Sequence, residues 1–512
     1  MSRSLYAKLH RRYRQKRISG EERHRTAHAK REQFTATLPA YLKDFPWKII
    51  PPKNIPIKNR VLIVGGGFAG LTAAWCLAKC GVEVRVFEAR ARVGGRVHSL
   101  KRFTPGRIIE AGAELIGLNH PAWLMFAQQF RLGMSVVTPE DDYRATRLEM
   151  PMRVNGTPVG RSAARKLYDE MTGAFTTLLG RVKTIRNPYK PWEGSRAHDY
   201  DHQSVHDWIT ELRKRGFSPL LRSALDTQLS NTNATPTSNQ SFLGLLALMK
   251  GGELPDDRLG FWNVSEVFRC EDGNQALAEC LAADVLNEQP KSVHHRSPVR
   301  RITIEKKRVT CETRFGKSYG GDCVILAVPP TVWKSIDIIP SIPPEGCMTL
   351  GPAIKYLSNV RSRFWIRDGA LALAPSGASD TLGLTWEGTD GQIGGTGFEL
   401  TVFSGGESAE RALRSRRSDA YFRKEISKLY PGYADSVLRQ RFIPWPELPY
   451  TMGGYSCPAP GQVTTVGKFL NSPFNQRLYF AGEHTCMPFY GYMEGALQSG
   501  LHAAVRVLES KW

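Results

Sequence analysis

The chain has 512 residues, of which 41% are hydrophobic and 23% charged, and it carries a formal net charge of +22 at pH 7. At about 150 residues per domain this length predicts two to four domains, and the lack of any run of about 18 apolar residues argues against a membrane-spanning helix. No zinc-finger spacing or RNA-recognition signature accompanies the basic charge, so we expect no nucleic-acid partner. Nine cysteines without paired spacing favour a reducing compartment, and we expect a cytoplasmic protein.

The N-terminal segment is strongly basic. Residues 1–44 contain 12 Lys and Arg against 4 Asp and Glu. They lack the apolar stretch of a secretory signal, and three glutamates between residues 21 and 32 argue against an organelle transit peptide. We predict a solvated, partly helical extension that continues into a proline-rich linker, FPWKIIPPKNIPIKNR, in which regular helix is excluded.

The next stretch, RVLIVGGGFAGLTAAWCLAKCGVEVRVFEAR (60–90), predicts a buried strand, a glycine turn, a helix and a second strand. The turn consists of Gly65, Gly66, Gly67, Phe68, Ala69 and Gly70 and fits G-x-G-x-x-G. Gly65 permits the tight turn, Gly67 lets the backbone approach a pyrophosphate, and Gly70 allows close packing of helix on strand. Glu88 ends the second strand, where a carboxylate accepts ribose hydroxyls, so we predict a dinucleotide-binding unit.

The remainder of the chain has a mainly helical pattern first and a mainly strand pattern later. Residues 120–250 have mainly helical periodicity, and Ser204 is a predicted helix cap. From about residue 298 the pattern becomes strands: a β-meander that returns to CVILAVPP, then IKYLSNV, LGLTWEG and FELTVFSGG. RLYFAGEHT predicts a last buried strand, and a small-residue helix follows from about residue 491.

The segment EARARVGGRVHS (88–99) directly follows the dinucleotide motif, and here the chain resembles the flavin amine oxidase superfamily, which includes monoamine oxidases and L-amino acid oxidases. Further resemblance lies in IEAGAELIG (109–117), RCEDGNQALAECLA (269–282), RSPVRRI (296–302), CVILAVPP (323–330) and RLYFAGEHT (477–485). These matches are dispersed over residues 60–508. The first 58 residues lie outside them.

The resemblance implies an α/β fold: a Rossmann-type (glutathione-reductase-like) FAD-binding domain, a mixed α+β substrate-binding domain and a helical insertion. We expect the basic extension and linker to span 1–58. The predicted FAD-binding parts are 59–118, 269–345 and 451–512, the mainly helical domain is 119–240, and the substrate-binding parts are 241–268 and 346–450. Related oxidases also lead us to expect a homodimer.

The same resemblance implies FAD contacts beyond the glycine turn. It assigns these contacts to Glu88, Ala89, Arg90, Gly95, Arg96, Gly112, Ala113, Glu114, Val299, Trp445, Gly482, Glu483 and Met493. Arginine forks suit phosphate oxygens, and a helix that begins near Met493 would direct its amides at the flavin. Mammalian monoamine oxidases attach flavin through a cysteine, but the matching position here is Gly454, and Cys457 is three residues further on. We therefore predict non-covalent FAD.

Four residues resemble the family's catalytic positions. Lys355 matches a lysine that holds a water near flavin N5, although an exposed strand lysine is the competing interpretation. Tyr455 and Tyr492 match two rings that flank the substrate amine, and aromatic faces suit a nitrogen with partial charge. Trp445 matches a tryptophan beside the flavin, with core packing as its competitor.

The substrate class is the least determined feature. NQSFLGLLALMKGG, LGLTWEGTD and LTVFSGG look most like microbial broad-specificity L-amino acid oxidases. Such an enzyme transfers a hydride from the α-carbon to flavin N5 and yields 2-oxo acid, ammonia and hydrogen peroxide, with O2 as acceptor.

The flavin loop GAELIG, however, has no arginine where snake-venom-type amino acid oxidases bind the carboxylate. Arg147, Arg222 and Arg363 are the candidate replacements, and an amine or polyamine oxidase is the alternative. A chromatin flavin demethylase would need more helical modules, and a non-catalytic flavin module would leave Lys355 and the tyrosines as coincidences.

Overall fold

The computed structural model describes residues 5–13, 60–137, 148–343, 346–372, 374–375, 382–392, 394–415 and 419–510. The predicted proline-rich linker and the candidate Arg147 therefore lie outside the described residues.

The strands in the described part are β1 (Arg60–Val64), β2 (Glu83–Phe87), β3 (Ser99–Thr104), β4 (Arg107–Glu110), β5 (Met134–Val136), β6 (Arg153–Val154), β7 (Thr157–Pro158), β8 (Phe268–Cys270), β9 (Val293–His294), β10 (Val299–Ile304), β11 (Val309–Thr313), β12 (Ser318–Gly321), β13 (Cys323–Leu326), β14 (Asp337–Ile339), β15 (Leu350–Gly351), β16 (Ala353–Val360), β17 (Ala374–Pro375), β18 (Leu384–Glu387), β19 (Phe398–Gly405), β20 (Val437–Pro444), β21 (Tyr455–Ser456) and β22 (Leu478–Phe480).

The α-helices there are α1 (Leu5–Tyr13), α2 (Phe68–Lys79), α3 (Pro121–Gln129), α4 (Arg161–Thr176), α5 (Leu179–Val182), α6 (Ala197–Asp201), α7 (Val205–Glu211), α8 (Pro219–Thr232), α9 (Phe242–Gly251), α10 (Gly260–Val264), α11 (Gln275–Glu288), α12 (Pro330–Trp333), α13 (Phe364–Arg367), α14 (Glu407–Arg414), α15 (Asp419–Ser427), α16 (Tyr433–Ser436), α17 (Lys468–Leu470) and α18 (Met493–Glu509).

A parallel sheet of order β22-β13-β1-β2-β9 is the centre of the dinucleotide domain. Its central strand, β1, is apolar and buried from Val61 to Val64 because both faces are covered, as parallel sheets require. Val61 and Ile63 belong to the core formed with α2, α11 and α18, whereas Leu62 and Val64 face the core formed with the meander β10–β12. The predicted βαβ unit and the α/β Rossmann-type fold are confirmed.

The second large sheet is antiparallel, with the order β17-β18-β19-β16-β20. All residues of β16 are buried. Ile354 and Tyr356 face a cluster with α13 and α15, and Leu357 faces the cluster that contains Trp445. Because side chains alternate along a strand, Lys355 shares the face of Leu357, which is turned towards the dinucleotide domain.

The region predicted to be mainly helical, 119–240, contains α3 to α8, and α9 and α10 continue to residue 264. Ser204 caps α7 as predicted: its hydroxyl accepts the amide N–H of Asp207, whose carboxylate accepts the N–H of Ser204 in return. None of the helices in the described ranges is long and apolar enough to cross a membrane. The exact domain boundaries stay predictions.

The prediction of a solvated N-terminal extension is wrong for residues 5–13, which form the buried helix α1. Leu5, Tyr6 and Leu9 are buried in the core that also contains α4 and α10. The Tyr6 ring packs edge-on against Phe175 at 5.0 Å, and Lys8 Nζ donates to the carbonyl of Thr385 at 3.1 Å. The apolar residues lie about one turn apart on one face of the helix, and that face is buried against the helical region.

Because Tyr6 fills a buried site, we expect Tyr6→Ala to lower the free energy of unfolding by about 3 kcal/mol and the Tm by several degrees. Thermal unfolding of the full chain measures this. Phe315→Ala is the matched control, because the Phe315 side chain is 72% exposed and its loss should leave Tm unchanged. Equal melting of the two variants would contradict the docking of α1.

Candidate active site

One long cavity runs between the parallel sheet and the antiparallel sheet and is open to solvent at its mouth. Its nucleotide end is formed by Glu88, Ala89, Arg90 and Val299. Its aromatic end is formed by Trp386, Phe403, Tyr455 and Tyr492. Because the lining extends from the end of β2 to the strands of the antiparallel sheet, the cavity suits an extended ligand such as a dinucleotide together with a substrate.

The glycine turn forms the middle of one wall. Gly65 has φ +114°, and a Cβ there would lie 2.7 Å from the carbonyl oxygen of Ala327. A Cβ on Gly67 would meet nothing closer than 4.0 Å, so this position opens directly into the cavity. Gly67 also precedes α2 without a side-chain cap, so Phe68 and Ala69 present uncapped helix N–H groups to the cavity. That donor set fits a pyrophosphate.

Glu88 is fixed at the end of β2 by backbone donors. Its carboxylate accepts the amide N–H of Gly66 at 2.9 Å and that of Arg90 at 2.7 Å. The side chain is buried and lines the nucleotide end beside Val299. The carboxylate is therefore held in place where it can also accept ribose hydroxyls.

Two arginines of the predicted set are held by neighbouring loops. Arg90 Nη2 donates to Thr451 Oγ1 at 2.6 Å. Arg96 Nη1 donates to Glu483 at 2.7 Å and to the carbonyl of Gly454 at 2.9 Å. Both line the cavity, so each guanidinium is pre-positioned beside it.

Glu483 is a buried junction of three segments. Besides Arg96, its carboxylate accepts the Ser456 hydroxyl and the amide N–H of Gly491 at 2.6 Å. Burial opposes ionisation, but Arg96, His484 and the hydrogen bonds from Ser456 and Gly491 together outweigh it and lower the pKa of Glu483. The carboxylate thereby joins Ser456, the residue after Tyr455, to Gly491, the residue before Tyr492.

The loop that begins at Gly112 and Ala113 forms the opposite wall. Trp445 Nε1 donates to the carbonyl of Ala111 at 2.9 Å, and its ring lies under Gly112. Trp445 packs with Ile109 and Leu357 and also lines the cavity. Core packing and a place beside the cofactor are thus both properties of this residue.

Glu114, in the same loop, binds a buried cation from each of two strands. Lys355 Nζ donates to Glu114 Oε2 at 2.6 Å and to the carbonyl of Glu110 at 2.9 Å. Arg269 Nε and Trp386 Nε1 both donate to Glu114 Oε1 at 2.9 Å. Lys355 is therefore not the exposed strand lysine of the competing interpretation, since its side chain is 6% exposed.

Ionisation in this cluster is uneven. Burial opposes the charge of Glu114, but Lys355 and Arg269 overcome that penalty and lower its pKa to about 2. Burial raises the pKa of Glu110 to about 7 and that of Glu399 to about 8. At neutral pH, Glu114 is accordingly the full negative charge beside Lys355.

Tyr455 and Tyr492 come together at the aromatic end. The Tyr455 hydroxyl donates to the carbonyl of Thr232 at 2.7 Å, and its ring is stacked on Phe403 at 6.5 Å. The Tyr492 ring is edge-on to His120 at 5.3 Å and to Phe261 at 6.1 Å. Burial holds the pKa of both phenols well above the usual value, so both rings are neutral.

The cavity brings together residues that are scattered through the sequence. Of the predicted residues, those that line it are Gly65, Gly67, Phe68, Ala69, Glu88, Ala89, Arg90, Gly95, Arg96, Gly112, Ala113, Glu114, Val299, Lys355, Trp445, Tyr455, Gly482, Glu483, Tyr492 and Met493. Gly70 lies behind the wall, where a Cβ would be 2.0 Å from the carbonyl oxygen of Gly65. Arg222 and Arg363 are not in the lining, and Arg363 pairs with Glu387.

Sequence reasoning missed several lining residues: Arg300, Arg314, Trp386, Phe403, Tyr450 and Thr451. Trp386 and Phe403 lie on predicted strands, and an alternation count could have assigned them to the cavity face. Nothing in the sequence links Tyr450 or Thr451 to the nucleotide end, because a distant loop carries them there. Tyr490, a neighbour of Tyr492 in the sequence, packs against Gly244.

Comparison with known proteins agrees with this geometry. Residues 68–508 match the family described as flavin containing amine oxidoreductase. The chain is 26% identical to the probable flavin-containing monoamine oxidase A of Dictyostelium discoideum over 480 residues, which is 87% of this chain and 97% of that protein. It is also 26% identical to the flavin-containing amine oxidase A of Bos taurus over 483 residues, covering 88% and 85% of the two chains.

Solved structures show the same fold. Putrescine oxidase bound to putrescine superposes with a TM-score of 0.76 at 20% identity, over 88% of this chain and 99% of that chain. Cyclohexylamine oxidase from Brevibacterium oxydans superposes with a TM-score of 0.74 at 20% identity and the same coverage.

The chain belongs to the flavin-containing amine oxidoreductase family. It is a flavin-dependent oxidase of amines, and its cofactor is FAD. The residues present fit that cofactor: the open Gly67 position and the start of α2 suit the pyrophosphate, and Glu88 suits the ribose. When bound, FAD supplies the acceptor for a hydride and passes the electrons to O2.

The flavin should be held without a covalent bond, because none of the nine cysteines lines the cavity and Gly454 does. We expect acid precipitation of the holoprotein to leave all of the yellow chromophore in the supernatant. Absorbance near the flavin maximum, read separately in pellet and supernatant, measures this. Colour that stays with the precipitated chain would contradict the prediction.

Proposed function

We propose that this chain oxidises amines that lack an α-carboxylate, as an amine or polyamine oxidase. The supporting observation is the charge of the aromatic end. Among the described residues that line this end of the cavity, the positively charged one is Lys355, and it is paired with Glu114. The lining arginines are elsewhere: Arg90, Arg300 and Arg314 near the nucleotide end, and Arg96 on Glu483.

A carboxylate that enters a dry site needs a cation or several N–H donors, since unpaired burial of a charge is very unfavourable. A neutral amine needs neither. The faces of Tyr455 and Tyr492 attract the partial charge on its nitrogen without donating a proton to it. The proposed substrate therefore matches what these described residues offer.

The reaction follows from the arrangement of the cavity. The tyrosine rings would orient the amine with its α-carbon towards the flavin, and the buried surroundings exclude water from the hydride transfer. Met493 begins α18 and lines the cavity. This helix N-terminus would stabilise the negative charge that the flavin gains when it is reduced. Water then hydrolyses the imine product. O2 takes up two electrons and two protons and is released as hydrogen peroxide.

An L-amino acid oxidase is the second candidate, and one observation favours it. Trp386 and Phe403 lie on the two strands whose sequences look most like microbial L-amino acid oxidases, and both line the aromatic end. On this alternative, a cation outside the described lining would bind the carboxylate.

Substrate oxidation distinguishes the two candidates directly. We expect peroxide formation with monoamines and polyamines and none with L-amino or D-amino acids. The same amines should bleach the flavin anaerobically, because reduction precedes the reaction with O2. Peroxide from L-amino acids alone would overturn the proposal in favour of the second candidate.

The aromatic cage has its own test at Tyr492. Tyr492→Leu removes the ring from the cavity wall, and we expect kcat/KM for amines to fall by about tenfold or more. Tyr492→Phe keeps the ring and should retain most of the activity. Tyr490→Phe is the control, since Tyr490 packs against Gly244 and is not a lining residue. Similar losses in the Leu and Phe variants would exclude a role for the ring face.

A further inference from the structure

The least expected feature of the cavity is the carboxylate beneath Lys355. An ammonium group at a dry wall carries a large desolvation penalty unless an anion compensates it. Lys355 has such an anion in Glu114, at 2.6 Å, and both side chains are about 5% exposed. The lysine also lies 5.3 Å from the centre of the Trp386 ring.

Two further donors, Arg269 and Trp386, hold Glu114 itself. Arg269 donates to Glu114 Oε1 through both Nε, at 2.9 Å, and Nη2, at 2.5 Å. Arg269 is anchored in turn by the carbonyls of Asp390, at 2.6 Å, and Glu387, at 3.0 Å. The carboxylate therefore cannot rotate away from Lys355 without breaking bonds to two further segments.

We propose that Glu114 is a positioning residue that holds the Lys355 ammonium group at the cavity wall and balances its charge, and thereby sets the rate at which the reduced enzyme reacts with O2. The inference deepens the oxidase function and rests on it. Two of the three ammonium protons are donated to Glu114 and to the carbonyl of Glu110, and Lys355 also lines the cavity. The remaining proton can serve the reacting groups there.

The chemistry needs a positive charge at this point. Two electrons pass from the reduced cofactor to O2, which takes up two protons and becomes hydrogen peroxide, while the cofactor returns to its oxidised form. Oxygen gains negative charge before it gains both protons, and a fixed cation in a dry site stabilises that charge strongly. Lys355 can supply it only while Glu114 balances the cluster.

The other charged groups that face Lys355 do not replace Glu114. Glu110, on β4, binds Ser99 and the amide N–H of Asn274 through its carboxyl group. Glu399, on β19, accepts from Thr401 at 2.7 Å and from the amide N–H of Ser358. Arg269 and the Trp386 ring carry no negative charge, so the balance depends on Glu114.

The experiment uses holoenzyme whose flavin is reduced by light, so that it needs no amine substrate. The reduced enzyme is mixed with O2 and the rate constant for reoxidation is measured. We expect Glu114→Gln and Lys355→Met each to lower it by about tenfold or more. The double variant should lose no more than Glu114→Gln alone, because both changes act through the Lys355 ammonium group. Glu425→Gln is the matched control, since Glu425 pairs with Lys428 at 2.6 Å and does not line the cavity, and it should stay within about twofold of wild type.

A conservative variant separates loss of charge from loss of structure. Lys355→Arg keeps the positive charge and should retain most of the reoxidation rate, whereas Lys355→Met should not. The FAD dissociation constant and reduction potential of each variant show whether the cofactor site is intact. If Glu114→Gln does not retain FAD, Glu114→Asp keeps the charge at a longer distance and should show a smaller loss.

Multiplicative losses in the double variant, or a wild-type rate in Glu114→Gln or Glu114→Asp, would overturn the proposal. Failure of every amine to reduce the flavin would instead contradict the proposed substrate class and leave the reoxidation result intact.

Discussion

The buried ion cluster at Glu114 is the interaction on which the site depends. Its carboxylate joins the flavin loop to β8, which pairs with β5, and to β16 and β18 of the antiparallel sheet. Buried ion pairs contribute little net stability, but removal of one partner leaves an uncompensated charge and costs about 3–5 kcal/mol. The cluster therefore determines how the flavin loop meets the antiparallel sheet and where Lys355 points.

Close backbone packing is the second constraint. Two helices, α2 and α18, begin at the cavity wall, and their N-termini supply positive potential where a cofactor is negative. They can converge because Gly500 has no Cβ. A Cβ at that position would lie 2.3 Å from the carbonyl oxygen of Ala69 and would clash with it. The glycines of the terminal helix, which weaken it locally, permit this contact.

The N-terminal helix shows how tertiary contacts change the meaning of composition. A basic segment with few apolar residues predicts a solvated extension, yet α1 buries Leu5, Tyr6 and Leu9. Its Lys8 reaches β18, next to Trp386 of the aromatic end. The segment thus belongs to the wall behind the substrate site, and this placement needed a groove that only the assembled helical domain provides.

The sequence alone determined the Rossmann-type unit, the order of helices and strands and nearly half of the cavity lining, because strand alternation, glycine spacing and dispersed motifs are local or carried by the resemblance. It could not determine the partners of Lys355. Glu114, Arg269 and Trp386 are 241, 86 and 31 residues away from it, and no local pattern records which long-range pairs meet. Only the tertiary structure decided that a lysine on a buried strand faces a carboxylate, since the charge balance of a buried site is a property of the fold.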